Sequence, residues 1–269
     1  MRNLEPDGKN MSALALDFDG TAIEANMIDP LLLMRGKRPA NFWSGVDILS
    51  LCGVDPIVAF IRQFEEACTN GAGGVTDLDL ARVGTDLELL PGLIETISDA
   101  RAVATAVGIE LKVLVLTTGF ETVVRFSELA RHVDAIVGTT WHISRDGTLS
   151  SPDRIISPDA KANVLSELAE VGLPANGIPA IPGHRIGFIG DGLTDFPGFQ
   201  FLADAGGASL LVHRGDAAAT QTAHDQTSSC PGLCSAPRDY RRGSPAHVWL
   251  MRWLAAMSTN RNEIFDEVI

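Results

Sequence analysis

No apolar run in this sequence reaches the ~18 residues that a membrane-spanning helix requires, so no membrane partner is expected. The polar stretch Met1 to Asn10 lacks the apolar region of a secretory signal. Cysteine is scarce, and Cys52, Cys68, Cys230 and Cys234 are not spaced as a disulfide scaffold. Cys230 and Cys234 beside His224 also lack standard zinc spacing and an evident fourth ligand, so a loop with reduced cysteines is expected. Together these absences point to a cytoplasmic protein. Positive charge is short too, with 21 Lys and Arg against 34 Asp and Glu and a formal net charge of −13. Such a surface repels nucleic acid and anionic lipid, which disfavours nonspecific binding to either. It leaves open a phosphorylated small molecule, because a bound cation and a few local Lys or Arg can make one pocket attractive.

What the chain does have is an ordinary globular composition, 45% hydrophobic and 20% charged, which argues against global disorder. Short apolar runs at 13–16, 112–116, 135–138, 186–189 and 209–212 end in polar or glycine-rich turns. Helix-length amphipathic segments lie between most of them, the pattern of an α/β fold with a parallel sheet covered on both faces. One interval breaks the rhythm. A strand-helix-strand crossover needs only about 30 residues, whereas Asp17 and Thr117, at the ends of the first two strands, stand much further apart. Within that interval 40–52, 55–68 and 76–90 read as helices separated by Gly53 and the glycine-rich 71–74. We therefore expect a Rossmann-like core formed by 1–24 and 91–269, with a small α-helical cap inserted at 25–90. The stretch 214–243 has the weakest structural pattern, and 244–257 reads as a final helix with Trp249 and Trp253 on one face.

Four places carry chemistry. Asp17-Phe18-Asp19-Gly20-Thr21 follows the first strand directly, where open parallel sheets present ligand-binding residues. As a bare turn it would need no function, but its four fixed letters arise by chance in about one chain in several hundred. Gly190-Asp191-Gly192-Leu193-Thr194-Asp195 ends a second strand with two more carboxylates, oxygen ligands suited to magnesium. Acidic residues delivered by two strands to one sheet edge repel, and a metal ion is the natural compensation. Leu116-Thr117-Thr118-Gly119-Phe120 offers hydroxyls and backbone N–H groups as a phosphate cradle. Lys161 stands in Ser157-Pro158-Asp159-Ala160-Lys161, where a lone lysine at a helix start is ordinarily a solvated residue.

In this order the four sites resemble the four motifs of the haloacid dehalogenase-like superfamily, over residues 12–213. The resemblance implies a Mg²⁺-dependent phosphatase acting on a small phosphorylated substrate. It makes Asp17 the nucleophile and Asp19 the general acid and base. Thr117, with Thr118 and Gly119 behind it, would hold the phosphoryl oxygens, and Lys161 would neutralise charge. Asp17, the main-chain carbonyl of Asp19 and Asp191 would ligate the metal, with Asp195 supporting them. An acid at Asp19 favours phosphoryl transfer over carbon–halogen chemistry. A phosphomutase shares every one of these residues, and a noncatalytic binding protein would be expected to have lost some of them. The inserted helices and the Gly190-Asp191-Gly192 form resemble the phosphoserine phosphatase-like branch. Where those enzymes place a glutamate to hold the substrate ammonium, this chain has Asn26, implying that phosphoserine itself is a poor substrate. Arg35, Lys37 and Arg38 read as a solvated basic turn.

Overall fold

The computed structural model describes residues 10–68 and 74–257, so most of the glycine-rich 71–74 break and both chain ends lie outside the described residues. The first strand, β1 (Met11–Leu16), is buried almost throughout. It is followed by α1 (Ile28–Met34), α2 (Pro39–Leu51), α3 (Pro56–Cys68) and α4 (Asp77–Asp86) before the chain returns to the sheet through α5 (Leu93–Ala106) and β2 (Glu110–Phe120). Next come α6 (Glu121–Phe126), β3 (Ala135–Ile143), β4 (Leu149–Arg154) and α7 (Pro158–Glu170). A two-residue pair, β5 (Gly172–Leu173) and β6 (Ile178–Pro179), precedes β7 (Ile186–Gly190) and α8 (Phe196–Ala205). The chain then forms β8 (Ala208–His213), α9 (Ala217–Thr227), β9 (Leu233–Pro237) and α10 (Pro245–Ala256). No helix among the described residues is long and apolar enough to cross a membrane.

The main sheet has seven strands in the order β4-β3-β2-β1-β7-β8-β9, parallel except for the edge strand β4. Side chains alternate across it. Leu14, Leu16, Val113 and Val115 join one apolar cluster with α5 and α10, while Ala13, Ala15, Leu114 and Leu116 join another with α7 and α8. Both faces are thus covered, as continuous apolar strands require. The central position of β1, flanked by β2 and β7, brings three motif-bearing strand ends together at one edge.

The inserted helices are locally encoded. Pro39 and Pro56 sit at helix starts, where a missing N–H costs nothing. Thr76 and Asp79 form a reciprocal capping box on α4. That helix ends at Asp86 instead of running to 90, because Leu87 is extended and Leu90 donates its N–H to the Ala22 carbonyl. Two expectations need correction. The weakly patterned 214–243 contains α9 and β9, with β9 pairing along β8. The Thr117 segment lies on β2 itself, which continues to Phe120, and α6 starts only after it. At the far end of the chain, Trp249 and Trp253 stack on one face of α10 with ring centroids 6.2 Å apart.

Candidate active site

Asp17 extends the central strand by one residue, donating its N–H to the Ile189 carbonyl at 2.9 Å. The pairing fixes its carboxylate beside the end of β7. Lys161, on the first turns of α7, reaches it from the other side of the sheet edge. Ser157 caps that helix by accepting the Ala160 N–H, which sets its direction. The ammonium Nζ lies 2.6 Å from Asp17 Oδ1 and 2.6 Å from Asp195 Oδ1. Lys161 is 0% exposed and Asp17 4%, so the sequence expectation of a solvated lysine is reversed. A charge taken wholly out of water persists only where it is paired.

Asp195 is also 0% exposed. Its second oxygen accepts the N–H groups of Asp191 at 3.0 Å and Gly192 at 3.3 Å, so both of its oxygens are committed. Carboxylate oxygens of Asp17, Asp191 and Asp195 all lie within 4.8 Å of one another. With Asp195 held by Lys161 and the backbone, Asp17 and Asp191 are the members that face the adjoining cavity. The turn after Asp19 fits around Asp191. Gly20 has φ +73°, and a Cβ there would stand 1.9 Å from Asp191 Oδ2, so only glycine permits this approach. A cradle of hard oxygen donors results, a donor set that suits a magnesium ion.

Asp19 Oδ1 accepts the Met27 N–H at 2.9 Å, which orients its carboxyl toward the same cavity. Gly119 closes this side: a Cβ on it would collide with Met27 Cε at 2.4 Å and meet Asp19 Oδ2 at 3.3 Å. Thr118 and Gly119 line the cavity. The Thr117 hydroxyl is buried behind them, accepting the Gly119 N–H at 3.0 Å and keeping its own proton to donate. Asn26 lines the cavity too, while its Oδ1 accepts the Ile28 N–H at the start of α1.

Burial raises the Asp17 carboxyl well above the usual carboxylate range; Lys161 opposes the rise and Asp195 adds to it. Burial pushes Asp19 up to about 7, against the hydrogen bond from Met27. Asp191, deep in a concave site although water reaches it, is raised to about 6 by desolvation and by Asp195. Lys161 moves up despite its burial, because Asp17 and Asp195 hold its proton. The site thus concentrates more negative charge than its one buried lysine offsets.

No family model matches this chain, and no curated protein does either. Solved structures do. A phosphoserine phosphatase described as a phospho-aspartyl intermediate analogue superposes with TM-score 0.61 at 17% identity, over 86% of this chain and 96% of that one. A HAD family hydrolase from Salmonella enterica serovar Typhi gives TM-score 0.60 at 19% identity, over 79% of this chain and 65% of that one. A probable phosphoserine phosphatase from Vibrio cholerae gives 0.58 at 20% identity, over 94% of this chain and 67% of that one. The fold is haloacid dehalogenase-like.

On this haloacid dehalogenase-like fold the cavity measures about 860 Å³ and extends well beyond the aspartates. Trp43, Val46, Ile57 and Phe60 from α2 and α3 line one part of it, and His213, Arg214 and Arg238 line another. Sequence reasoning missed these residues. Arg238 follows β9, in the stretch read as weakly structured, and spans to Glu24 at 3.1 Å next to the first motif. The short Leu233-Cys234-Ser235-Ala236 segment was the only signal before it. Arg35 is no solvated cation: it bonds the Gly74 carbonyl and Asp79, each at 2.7 Å.

Proposed function

We propose that this chain is a magnesium-dependent phosphatase that hydrolyses a small phosphorylated metabolite in the cytoplasm through an aspartyl-phosphate on Asp17. The observation that carries the reading is the fully buried Lys161, held 2.6 Å from both Asp17 and Asp195 at the floor of a cavity that Asp19 and Asp191 also line. An isolated buried carboxylate would take up a proton. Lys161 opposes that protonation at Asp17 and fixes one of its oxygens. The carboxylate then attacks phosphorus as the bond to the leaving oxygen breaks, and Asp19 delivers its proton to that oxygen. Asp19 next takes a proton from water, which attacks the aspartyl-phosphate, frees phosphate and regenerates Asp17. Thr117, Thr118 and Gly119 would hold the phosphoryl oxygens, the Gly119 N–H exchanging the Thr117 hydroxyl for a phosphoryl oxygen as substrate binds. Asp17, the Asp19 main-chain carbonyl and Asp191 would hold magnesium, with Asp195 as support. Bound there, the ion supplies the positive charge that screens an anionic nucleophile from a phosphate dianion. In this reading residues 1–24 and 91–269 are the catalytic core, and 25–90 form a cap that limits water and large substrates.

Phosphate release from p-nitrophenyl phosphate, lost on chelation and restored by magnesium, is the direct test. Return of the phosphoryl group to an acceptor with no release to water would identify a phosphomutase or phosphotransferase instead. The metal site also predicts a proton competition. Asp191, raised to about 6, must lose its proton to ligate, as must Asp17 wherever burial leaves it protonated, so magnesium affinity should weaken by about tenfold or more for each pH unit below 6. Calorimetric titration at pH 5, 6, 7 and 8 measures it, and a flat profile would remove Asp191 from the ligand set.

Asn26 sets a second expectation. A neutral amide lacks the charge-assisted contact to a substrate ammonium, a contact typically contributing about 1.5–3 kcal/mol. Asn26→Glu should therefore recover part of the roughly one to two decades in kcat/KM that phosphoserine loses relative to an amine-free ester. An unchanged ratio would show that Asn26 serves only to hold the Ile28 N–H at the start of α1.

A further inference from the structure

The cavity is chemically divided. Every charged side chain lining it comes from the strand ends and their loops: the catalytic aspartates, the Glu24–Arg238 pair, and the loop after β8. Among the described residues of 25–90, none that lines it is charged. The cap instead presents Trp43, Val46, Ile57 and Phe60. Trp43 and Phe60 are nearly parallel, with an interplanar angle of 19° and centroids 6.1 Å apart. Phe60 stacks in turn on the fully buried Phe64 at 6.0 Å. The Trp43 indole N–H donates to Asp29 Oδ1 at 2.9 Å, so the ring is fixed at its polar edge and needs no partner from a ligand. Trp43, Ile57 and Phe60 are only half-buried, leaving apolar surface toward the cavity.

From this arrangement we infer that the leaving group of the substrate is a bulky apolar alcohol, aryl-bearing or branched, that packs on the Trp43–Phe60 wall. The inference rests on the phosphatase reading. A charged amino-acid head placed against this wall would lose its water with nothing to replace it. An aromatic or branched hydrocarbon gains dispersion contact and buries both its own surface and that of Trp43. The volume of about 860 Å³ accommodates such a group beyond the phosphoryl position.

The test is a series of primary alkyl phosphates: ethyl, hexyl and 2-phenylethyl, with phosphoserine and phosphoethanolamine alongside. All five expel primary alkoxides, so leaving-group chemistry changes far less than apolar area. From ethyl to 2-phenylethyl phosphate, kcat/KM should rise roughly ten- to hundredfold. Trp43→Ala should collapse that ratio to within about threefold of one. Ile57→Ser, in the first turn of α3, should reduce it without emptying the cap core. The 2-phenylethyl and ethyl phosphonates, followed by tryptophan fluorescence, give the same comparison without turnover. Phosphate release that is equal across the series, or best with phosphoserine or phosphoethanolamine, overturns the inference and leaves the phosphatase intact. No release from any ester overturns the phosphatase reading. The phosphonate ratio then decides the apolar wall by itself, with equal binding counting against it.

Discussion

Asp17→Asn should lower turnover by roughly five to six decades, the scale seen when a covalent nucleophile is removed. The amide keeps the shape of the carboxylate and the strand pairing to Ile189, so the fold should persist. What it loses is the anionic oxygen. The variant should also lose acid-stable incorporation of label from acetyl phosphate, which forms an acyl phosphate only on a carboxylate. A second consequence follows from Lys161. Its ammonium bridges Asp17 and Asp195, and with an amide at 17 it retains one anionic partner. The variant should therefore be stable but silent. A variant with turnover near wild type would place the covalent step elsewhere, and an unfolded variant would show that the buried pair chiefly serves the fold. Thermal denaturation beside the kinetic assay separates these outcomes.

The chemistry of this chain was more legible than its walls, for a physical reason. Asp17, Asp19, Thr117 and Asp191 follow apolar runs directly, and a parallel sheet brings successive strand ends to one edge whatever lies between them. Lys161 became readable only through family order, since nothing in Ser157-Pro158-Asp159-Ala160-Lys161 shows that the side chain is buried. Asp195 shows the limit of spacing. Its sequence position fits a metal ligand, yet both its oxygens belong to Lys161 and two backbone N–H groups. The helices α2 and α3 were recognisable from their apolar pattern and breaks, whereas α1 is a single short element with no side-chain cap on Met27. Helix α9 escaped notice because Ala223 is its only buried residue among alanines and polar side chains. Strand β4 is an exposed edge with the sequence Leu-Ser-Ser-Pro-Asp-Arg, which carries no alternating apolar signal. The Trp43–Phe60 wall depends on packing between two helices and has no local signature at all.

Asp19→Asn should separate activity from stability, moving them in opposite directions. The carboxyl titrates at about 7 in the folded chain against 3.8 as its ordinary value, with burial as the largest cause. Between those values the folded protein holds a proton that the unfolded chain has released, so stability falls as pH rises from 4 to 7 and levels off above. At pH 8, without metal, the ionised carboxylate is a destabilising group. Asparagine removes that charge and keeps an oxygen to accept the Met27 N–H. Discounted for the part that water reaches, the gain is about 1–3 kcal/mol, or roughly 2–8 °C in Tm for a chain of this size. At pH 5 only about one of the roughly three pH units of that fall has been crossed, so the difference should shrink to about a third. Turnover should fall by roughly two to four decades, the usual contribution of a general acid and base. The loss should be smaller for p-nitrophenyl phosphate, whose leaving group needs little protonation, than for an alkyl ester. Denaturation in EDTA at pH 5 and pH 8, with kcat on both esters, tests every part of this. Equal Tm differences at the two pH values would mean that Asp19 titrates normally in the fold, and equal losses on both esters would mean that it does not protonate the leaving oxygen.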